Sequence, residues 1–184
     1  MTEQYILALI KNDAWMLQVL RVARDLHLPD WMIGAGFVRA KVWDVLHGYE
    51  TRTPLGDVDV IYFDSSDIRE SKENELQNEL SGTIQGIAWS VTNQARIHIE
   101  NQESPYISSE DALAHWPETP TAVAVRLKDD DALELIAPYG IRDLVNMEVK
   151  ISPKFSRSLD IYRARIAKKR WQEKWPKVKI FMSQ

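Results

Sequence analysis

Cysteine is absent from this chain of 184 residues. Its absence excludes a disulfide scaffold, a thiolate zinc site and a cysteine nucleophile, so a bound metal would need oxygen or histidine ligands. Long hydrophobic runs are also lacking, since the first apolar stretch stops at Lys11. We therefore expect neither a signal peptide nor a membrane-spanning helix, and a cytoplasmic protein without a membrane partner.

Charge is distributed unevenly along the chain. The composition, 45% hydrophobic and 27% charged, is that of a folded globular protein, and the length predicts a single domain over 1–184. Residues 1–149 carry 12 basic and 25 acidic side chains, whereas residues 150–184 carry 11 and 2. We expect an N-terminal helical unit (1–28), a core (29–149) and a basic C-terminal helix (150–184). That helix either is solvated or docks on the acidic body, or it offers a surface for phosphates or nucleic acid.

Hydrophobic periodicity predicts a mixed α/β or α+β fold, with a sheet flanked by helices. The central unit is a strand at 31–33, a glycine turn at 34–36, a helix at 37–46 and a strand at 57–63. The other predicted elements are helices at 2–27 with a break at 12–13, 68–80, 108–116, 141–149 and 156–175, strands at 87–91 and 93–99, and a hairpin of 121–127 with 132–136.

Asp57 and Asp59 form the most informative motif. Side chains alternate along a strand, so these two carboxylates share one face about two rises of ~3.3 Å apart, while Val58 and Val60 point into the core. Carboxylates this close repel each other, and they either share a proton or bind a divalent cation. Mg²⁺, or Mn²⁺ in its place, fits oxygen ligands beside a substrate phosphate. The structural alternative is that these aspartates only cap a loop.

Gly34, Ala35 and Gly36 supply a complementary feature, about twenty residues before the aspartates. A backbone with few Cβ atoms approaches a triphosphate closely, and the start of the following helix favours an anion. Lys41 or Arg39 on that helix would add a cation. The structural alternative is a small-residue turn that is needed only for tight packing.

Two further groups of residues have open interpretations. Arg96 and His98 would share a face of the predicted strand and reach a phosphate or base, or Arg96 would instead pair with an acidic residue. The seven tryptophans are most simply core residues, and Trp171 and Trp175 in the basic helix are the expected exceptions that stack on a base.

The glycine and aspartate motifs together resemble the signature of the DNA polymerase beta-like nucleotidyltransferase superfamily. The matching residues are Ile33-Gly34-Ala35-Gly36 and Asp57-Val58-Asp59-Val60. Further blocks are similar to a bacterial family of small nucleotidyltransferase-like proteins, so the resemblance covers nearly the whole chain. These blocks are Asn93 to His98, Trp116 to Thr119, Thr121 to Val123, Ala137 to Ile141, Asp143-Leu144 and Trp175-Pro176.

The resemblance implies a sheet with three carboxylates that coordinate two Mg²⁺ ions. Asp57 and Asp59 match the first two positions. Glu134, on the second arm of the hairpin, is the expected third metal ligand and catalytic residue. Asn93 is the rival: if the strand at 87–91 is the one beside Asp57 and Asp59, an amide replaces the third acid. The superfamily often has serine where this chain has Ala35, so a hydroxyl contact to phosphate is lost while the backbone donors remain.

The implied function is Mg²⁺-dependent transfer of a nucleoside monophosphate from an NTP to an acceptor hydroxyl, with release of pyrophosphate. The acceptor would be a small molecule, an RNA or a protein. The alternative is a nucleotide-binding, RNA-binding or antitoxin-like module that kept the fold and lost turnover. Phosphohydrolase chemistry is less favoured because no additional histidine ligands accompany the aspartates.

Overall fold

The computed structural model describes residues 1–155 and 159–182. Within these ranges the main sheet has five strands in the order β3-β2-β1-β4-β5. The strands are β1 (Met32–Gly34), β2 (Val58–Tyr62), β3 (Trp89–Asn93), β4 (Ala124–Leu127) and β5 (Leu133–Ile136). Strands β2 and β3 are parallel and the other neighbours are antiparallel, so the predicted mixed sheet and hairpin are confirmed.

Helices cover this sheet. The remaining elements are α1 (Glu3–Lys11), α2 (Ala14–Arg24), α3 (Gly36–His47), α4 (Glu70–Thr83), α5 (Gln94–Asn101), α6 (Ser109–Ala114), α7 (Arg142–Val145), β6 (Glu148–Val149), α8 (Leu159–Lys169), α9 (Trp171–Lys174) and β7 (Lys179–Ile180). Helix α1 lies against β5, α2 against β4 and α4 against β3, and a small parallel sheet of β6 and β7 joins the C-terminal segment to the body.

The two faces of the sheet carry different cores. One face contributes Ile33, Val60 and Val125 to the main core, whereas the other face contributes Met32 and Ile61 to a smaller cluster under α6. Because Ile33 pairs with Val60 in the antiparallel register, the next residue of β1 lies level with the residue preceding Val60 on β2. The face with the smaller cluster therefore also carries the aspartates.

The prediction of a strand at 93–99 is wrong, because Asn93 is the last residue of β3 and residues 94–99 belong to helix α5. Asn93 starts the helix: its side-chain oxygen accepts a hydrogen bond from the N–H of Ala95 at 3.0 Å. The amide nitrogen of Asn93 donates to the carbonyl oxygens of Asp64 and Asp67 at 2.7 and 2.9 Å. Asn93 is thus a buried cap, and the strand argument that put Arg96 and His98 on one face fails.

The C-terminal third also differs from prediction. The helix expected at 141–149 is the single turn α7, and the chain turns at Met147, whose φ is 56°, into β6. The helix expected at 156–175 is divided at Arg170, whose φ is 48°, into α8 and α9, and its predicted start at Ser156 lies outside the described residues. Nowhere in the described ranges is a helix long and apolar enough to cross a membrane.

Candidate active site

One cavity brings the two predicted motifs together. Asp57 and Asp59 line it with Ala35 and Gly36 of the glycine turn, and its volume is about 810 Å³. The strand that carries the aspartates lies directly beside β1, which leads into the turn, so sheet pairing places both motifs at one edge. The cavity therefore has acidic groups and the start of a long helix facing one space.

The acidic pair is not neutralised by direct contacts. In the described part of the chain, neither the Asp57 carboxylate nor the Asp59 carboxylate accepts a hydrogen bond or has a basic group within 4.0 Å. Burial raises the pKa of Asp59 to about 6, and the neighbouring Asp57 adds to the rise, while Lys169 opposes it. An oxygen-only pair under mutual repulsion fits a divalent cation.

The glycine turn has a strained centre. Ala35 has φ 53° and ψ −121°, a conformation that is costly for a residue with a Cβ, and its N–H donates to the carbonyl of Val123 at 3.1 Å. That donor is therefore not free for a phosphate, contrary to our expectation for the backbone of Ala35. Helix α3 begins without a side-chain cap, so the N–H groups that follow, from Gly36 onward, are the ones available to an anion.

Gly34 has a packing role. A Cβ at this position would lie 2.9 Å from Cη2 of Trp116, whereas a Cβ at Gly36 would meet its nearest neighbours, on Arg39 and Leu55, at 3.8 Å. Gly34 also does not line the cavity, although Gly36 does. The indole therefore rests on the bare backbone of β1, and of the two glycines only Gly36 is placed to admit a ligand.

Alanine substitutions should separate these two roles. We expect Gly34→Ala to destabilise the fold by about 1–3 kcal/mol, because the indole must move. We expect Gly36→Ala to leave the melting temperature unchanged or higher, since alanine favours helix, and to weaken the binding of an anion at the start of α3. Thermal melts and titrations with inorganic tripolyphosphate check both, and equal losses of stability would contradict the assignment.

Arg39 is the buried cation of the cavity. Its Nη1 donates to Oγ1 of Thr121 at 2.6 Å, and its guanidinium stacks on the ring of Trp171 at 4.7 Å. Burial lowers the pKa of Arg39 to about 10, so it remains charged at neutral pH. Glu118, Asp59 and Asp57 all stabilise its charge. A buried guanidinium fixed in this way is suited to bind an anion such as phosphate.

Helices α8 and α9 supply further cations that the sequence analysis did not assign to the site. Arg165 donates from Nε to the fully buried Glu118, while Lys168, Lys169 and Lys174 line the cavity. Within the described residues, these three lysines form no ion pair. Desolvation and the nearby Arg165 lower the pKa of Lys169. The concentration of positive charge beyond residue 149 was the available signal, and its interpretation as a helix that docks on the acidic body agrees with this placement.

The chain resembles known proteins in sequence and in fold. A family model described as nucleotidyltransferase matches residues 21–180. The chain belongs to this nucleotidyltransferase family. An NMR structure described as revealing a CCA-adding enzyme head domain is 33% identical, with a TM-score of 0.87 over 98% of this chain and 96% of that one. No match was found among curated proteins.

Larger enzymes share only the fold. The Thermotoga maritima CCA-adding enzyme complexed with tRNA is 17% identical with a TM-score of 0.58, and a CCA-adding enzyme complexed with CTP is 14% identical with a TM-score of 0.61. Each match covers 98% of this chain but only 42% and 43% of those chains. This nucleotidyltransferase family member thus spans less than half the length of those enzymes. The family model and the head-domain structure confirm the resemblance inferred from the two motifs.

Glu134 lies away from the acidic pair. It is on β5, separated from β2 by β1 and β4, and it does not line the cavity. Its carboxylate pairs with Arg126 at 2.7 Å and with Lys128 at 3.3 Å, and the hydrogen bond from Arg126 holds its pKa below the usual value. The described residues contain no cluster of three or more metal-binding acidic, histidine or cysteine side chains. The geometry therefore does not bring the expected third carboxylate to the site.

Two predicted phosphate-binding cations also lie elsewhere. Lys41 pairs with Asp13 at 2.9 Å, so of the two alternatives on α3 only Arg39 faces the cavity. Arg96 pairs with Glu73 at 2.8 Å and also with Glu100, which agrees with the structural alternative for this residue. Neither Lys41 nor Arg96 lines the cavity.

Proposed function

We propose that this protein transfers a nucleoside monophosphate from an NTP to an acceptor hydroxyl in a reaction that depends on a divalent cation. The observation that carries the proposal is the meeting, in one cavity, of two unpaired carboxylates and a set of cations that includes Arg39 and Lys169. In a metal–triphosphate complex the carboxylates would balance the positive charge of the metal, and the cations would balance the negative charge of the phosphates. Family membership supports nucleotidyl transfer as the general chemistry.

Asp57 and Asp59 would hold the cation, Mg²⁺ or Mn²⁺. When bound, such an ion polarises phosphoryl oxygens as a Lewis acid. The uncapped start of α3, Arg39 and Lys169 would bind and orient the triphosphate. The acceptor hydroxyl would release its proton to solvent water as its oxygen bonds to the α-phosphorus. The bond from that phosphorus to the bridging oxygen breaks, and pyrophosphate leaves with the electron pair of that bond.

A binding protein without turnover is the second candidate, and the placement of Glu134 favours it. Only two carboxylates of the described residues face the cavity, whereas the family resemblance implies three. Weaker metal binding would follow from a smaller ligand charge. Tight nucleotide binding without pyrophosphate release, over a screen of small-molecule, RNA and protein hydroxyl acceptors, would favour this candidate.

The deciding experiment titrates NTP with Mn²⁺ into the wild type and into Asp57→Ala/Asp59→Ala, and then measures pyrophosphate release with Mg²⁺. We expect metal-dependent binding and release for the wild type and neither for the variant. Glu79→Ala/Glu110→Ala is the matched control, because it removes two exposed carboxylates outside the cavity. Equal binding by the wild type and Asp57→Ala/Asp59→Ala would remove the metal role.

A further inference from the structure

Three tryptophans line the cavity, and they differ in what their rings can contact. Trp171 is buried and its face is covered by the guanidinium of Arg39. Trp175 is buried, packs edge-on against Trp43, and donates from Nε1 to Asp44 at 2.7 Å. The expectation that Trp171 and Trp175 serve as stacking surfaces is therefore wrong, since both rings are buried and already pack against other side chains of the protein.

Trp116 is placed differently. It is partly buried, and its atoms nearest to Gly34 are Cη2 and Cζ3. The indole packs against the smaller core cluster, which fixes its position, and it also lines the cavity. Helix α5 packs against α6, which precedes Trp116 in the chain, and Ile97 and Asn101 of α5 line the same cavity with His115.

The register of the sheet places this indole beside the acidic pair. Gly34 follows Ile33, which pairs with Val60, so Gly34 lies level with Asp59 on the adjacent strand. Adjacent strands are about 4.8 Å apart. A ligand whose α-phosphate is held at the aspartates would therefore have its next chemical group, the nucleoside, within reach of the indole.

Charge distinguishes this side of the cavity from the others. The cations come from α3, α8 and α9, whereas Trp116, Ile97 and Asn101 offer aromatic, apolar and amide groups that carry no charge. Phosphates belong on the cationic side. The uncharged ring system of a nucleotide belongs on the side of the indole.

We propose that Trp116 forms a nucleobase subsite and stacks on the base of the NTP. This inference rests on the proposed function, because it assumes that the triphosphate is bound at the aspartates. Every base has a π-face, so a stacking surface gives affinity with little discrimination between bases. The same indole thus has two roles, because it packs on Gly34 and also lines the cavity.

The test compares NTP with inorganic tripolyphosphate, which has the phosphates but no base, both with Mg²⁺. We expect Trp116→Leu to weaken NTP binding by about 5- to 150-fold, the range of a lost base–aromatic stack, and to leave tripolyphosphate binding unchanged. Trp116→Phe keeps an aromatic ring and should restore most of the NTP affinity. Calorimetric titration measures the affinities, and thermal melts check that each variant is folded.

The outcomes separate this inference from the proposed function. Equal losses for NTP and tripolyphosphate in Trp116→Leu would mean that the indole only supports the site, which overturns the subsite. Unchanged NTP affinity in Trp116→Leu would also overturn the subsite. Turnover by the wild type would leave the proposed function intact in either case. A wild type that binds neither probe would overturn both.

Discussion

Replacing Asp59 with asparagine is expected to reduce the nucleotidyl transfer rate by more than about 100-fold while raising the melting temperature at neutral pH. Mutation of a residue that only orients a metal ligand lowers metal affinity or activity by about 10- to 100-fold, so the loss of a ligand itself should lower activity by more than that. The gain in stability follows from removing a carboxylate that is desolvated and repelled by Asp57. Pyrophosphate release and thermal melts measure the two effects.

The pH dependence of this gain has a definite sign. The pKa of Asp59 is about 6 in the folded protein, against about 3.9 for an unperturbed aspartate. The folded state therefore binds this proton more tightly than the unfolded state, and the stabilisation by the bound proton is lost as pH rises from about 4 to about 6. The stability difference between Asp59→Asn and the wild type should be small near pH 4 and reach a plateau above pH 6.

Divalent cations should act in the opposite direction to protons at this site. Mg²⁺ or Mn²⁺ is expected to raise the melting temperature of the wild type at neutral pH, because a ligand that binds only the folded state stabilises it. The Asp59→Asn variant should respond weakly or not at all. A variant that is no more stable than the wild type at pH 7, or that responds equally to the metal, would contradict the assignment of Asp59.

The parts of the site close together in sequence were predictable. Strand alternation alone indicates that Asp57 and Asp59 share a face and that Val58 and Val60 enter the core, where they are 2% and 0% exposed. The glycine turn and its helix are equally local. What local patterns lacked was the packing role of Gly34, because the indole that requires a glycine there comes from a loop more than eighty residues later in the chain.

Long-range partners explain the predictions that failed. On its strand, Glu134 looks like a third carboxylate, and only the strand order shows that β1 and β4 separate it from the aspartates. The chain is helical after Asn93, where the pattern predicts a strand, because the side-chain oxygen of Asn93 caps the helix. That side chain is held by the backbone at 64–67, and a linear pattern does not contain this long-range contact. The cations of α8 reach the cavity because Tyr162 and Ile166 bury one side of that helix.

Arg39 gives the second large expected effect, and Lys41 on the same helix is its matched control. Arg39→Met should lower the transfer rate by about 10²- to 10³-fold, the loss seen when a preorganised donor to a developing charge is removed. Lys41→Met removes the same charge on the same helix, but its ammonium pairs with Asp13 outside the cavity, so transfer should be unchanged. Arg39→Lys should recover little, because lysine lacks the planar fork that stacks on Trp171 while donating to Thr121.

Stability distinguishes loss of a ligand contact from loss of the fold in this series. Burial and the nearby Arg165 both disfavour the charge of Arg39 in the unliganded protein, as the lowered pKa of Arg39 shows. Arg39→Met should therefore melt at or above the wild-type temperature even though it transfers poorly, whereas Lys41→Met should lose a little stability with its ion pair. If Arg39→Met unfolded early, or if Lys41→Met lost transfer to the same degree, Arg39 would be a packing residue, and the triphosphate would have to be held by the α8 and α9 cations alone.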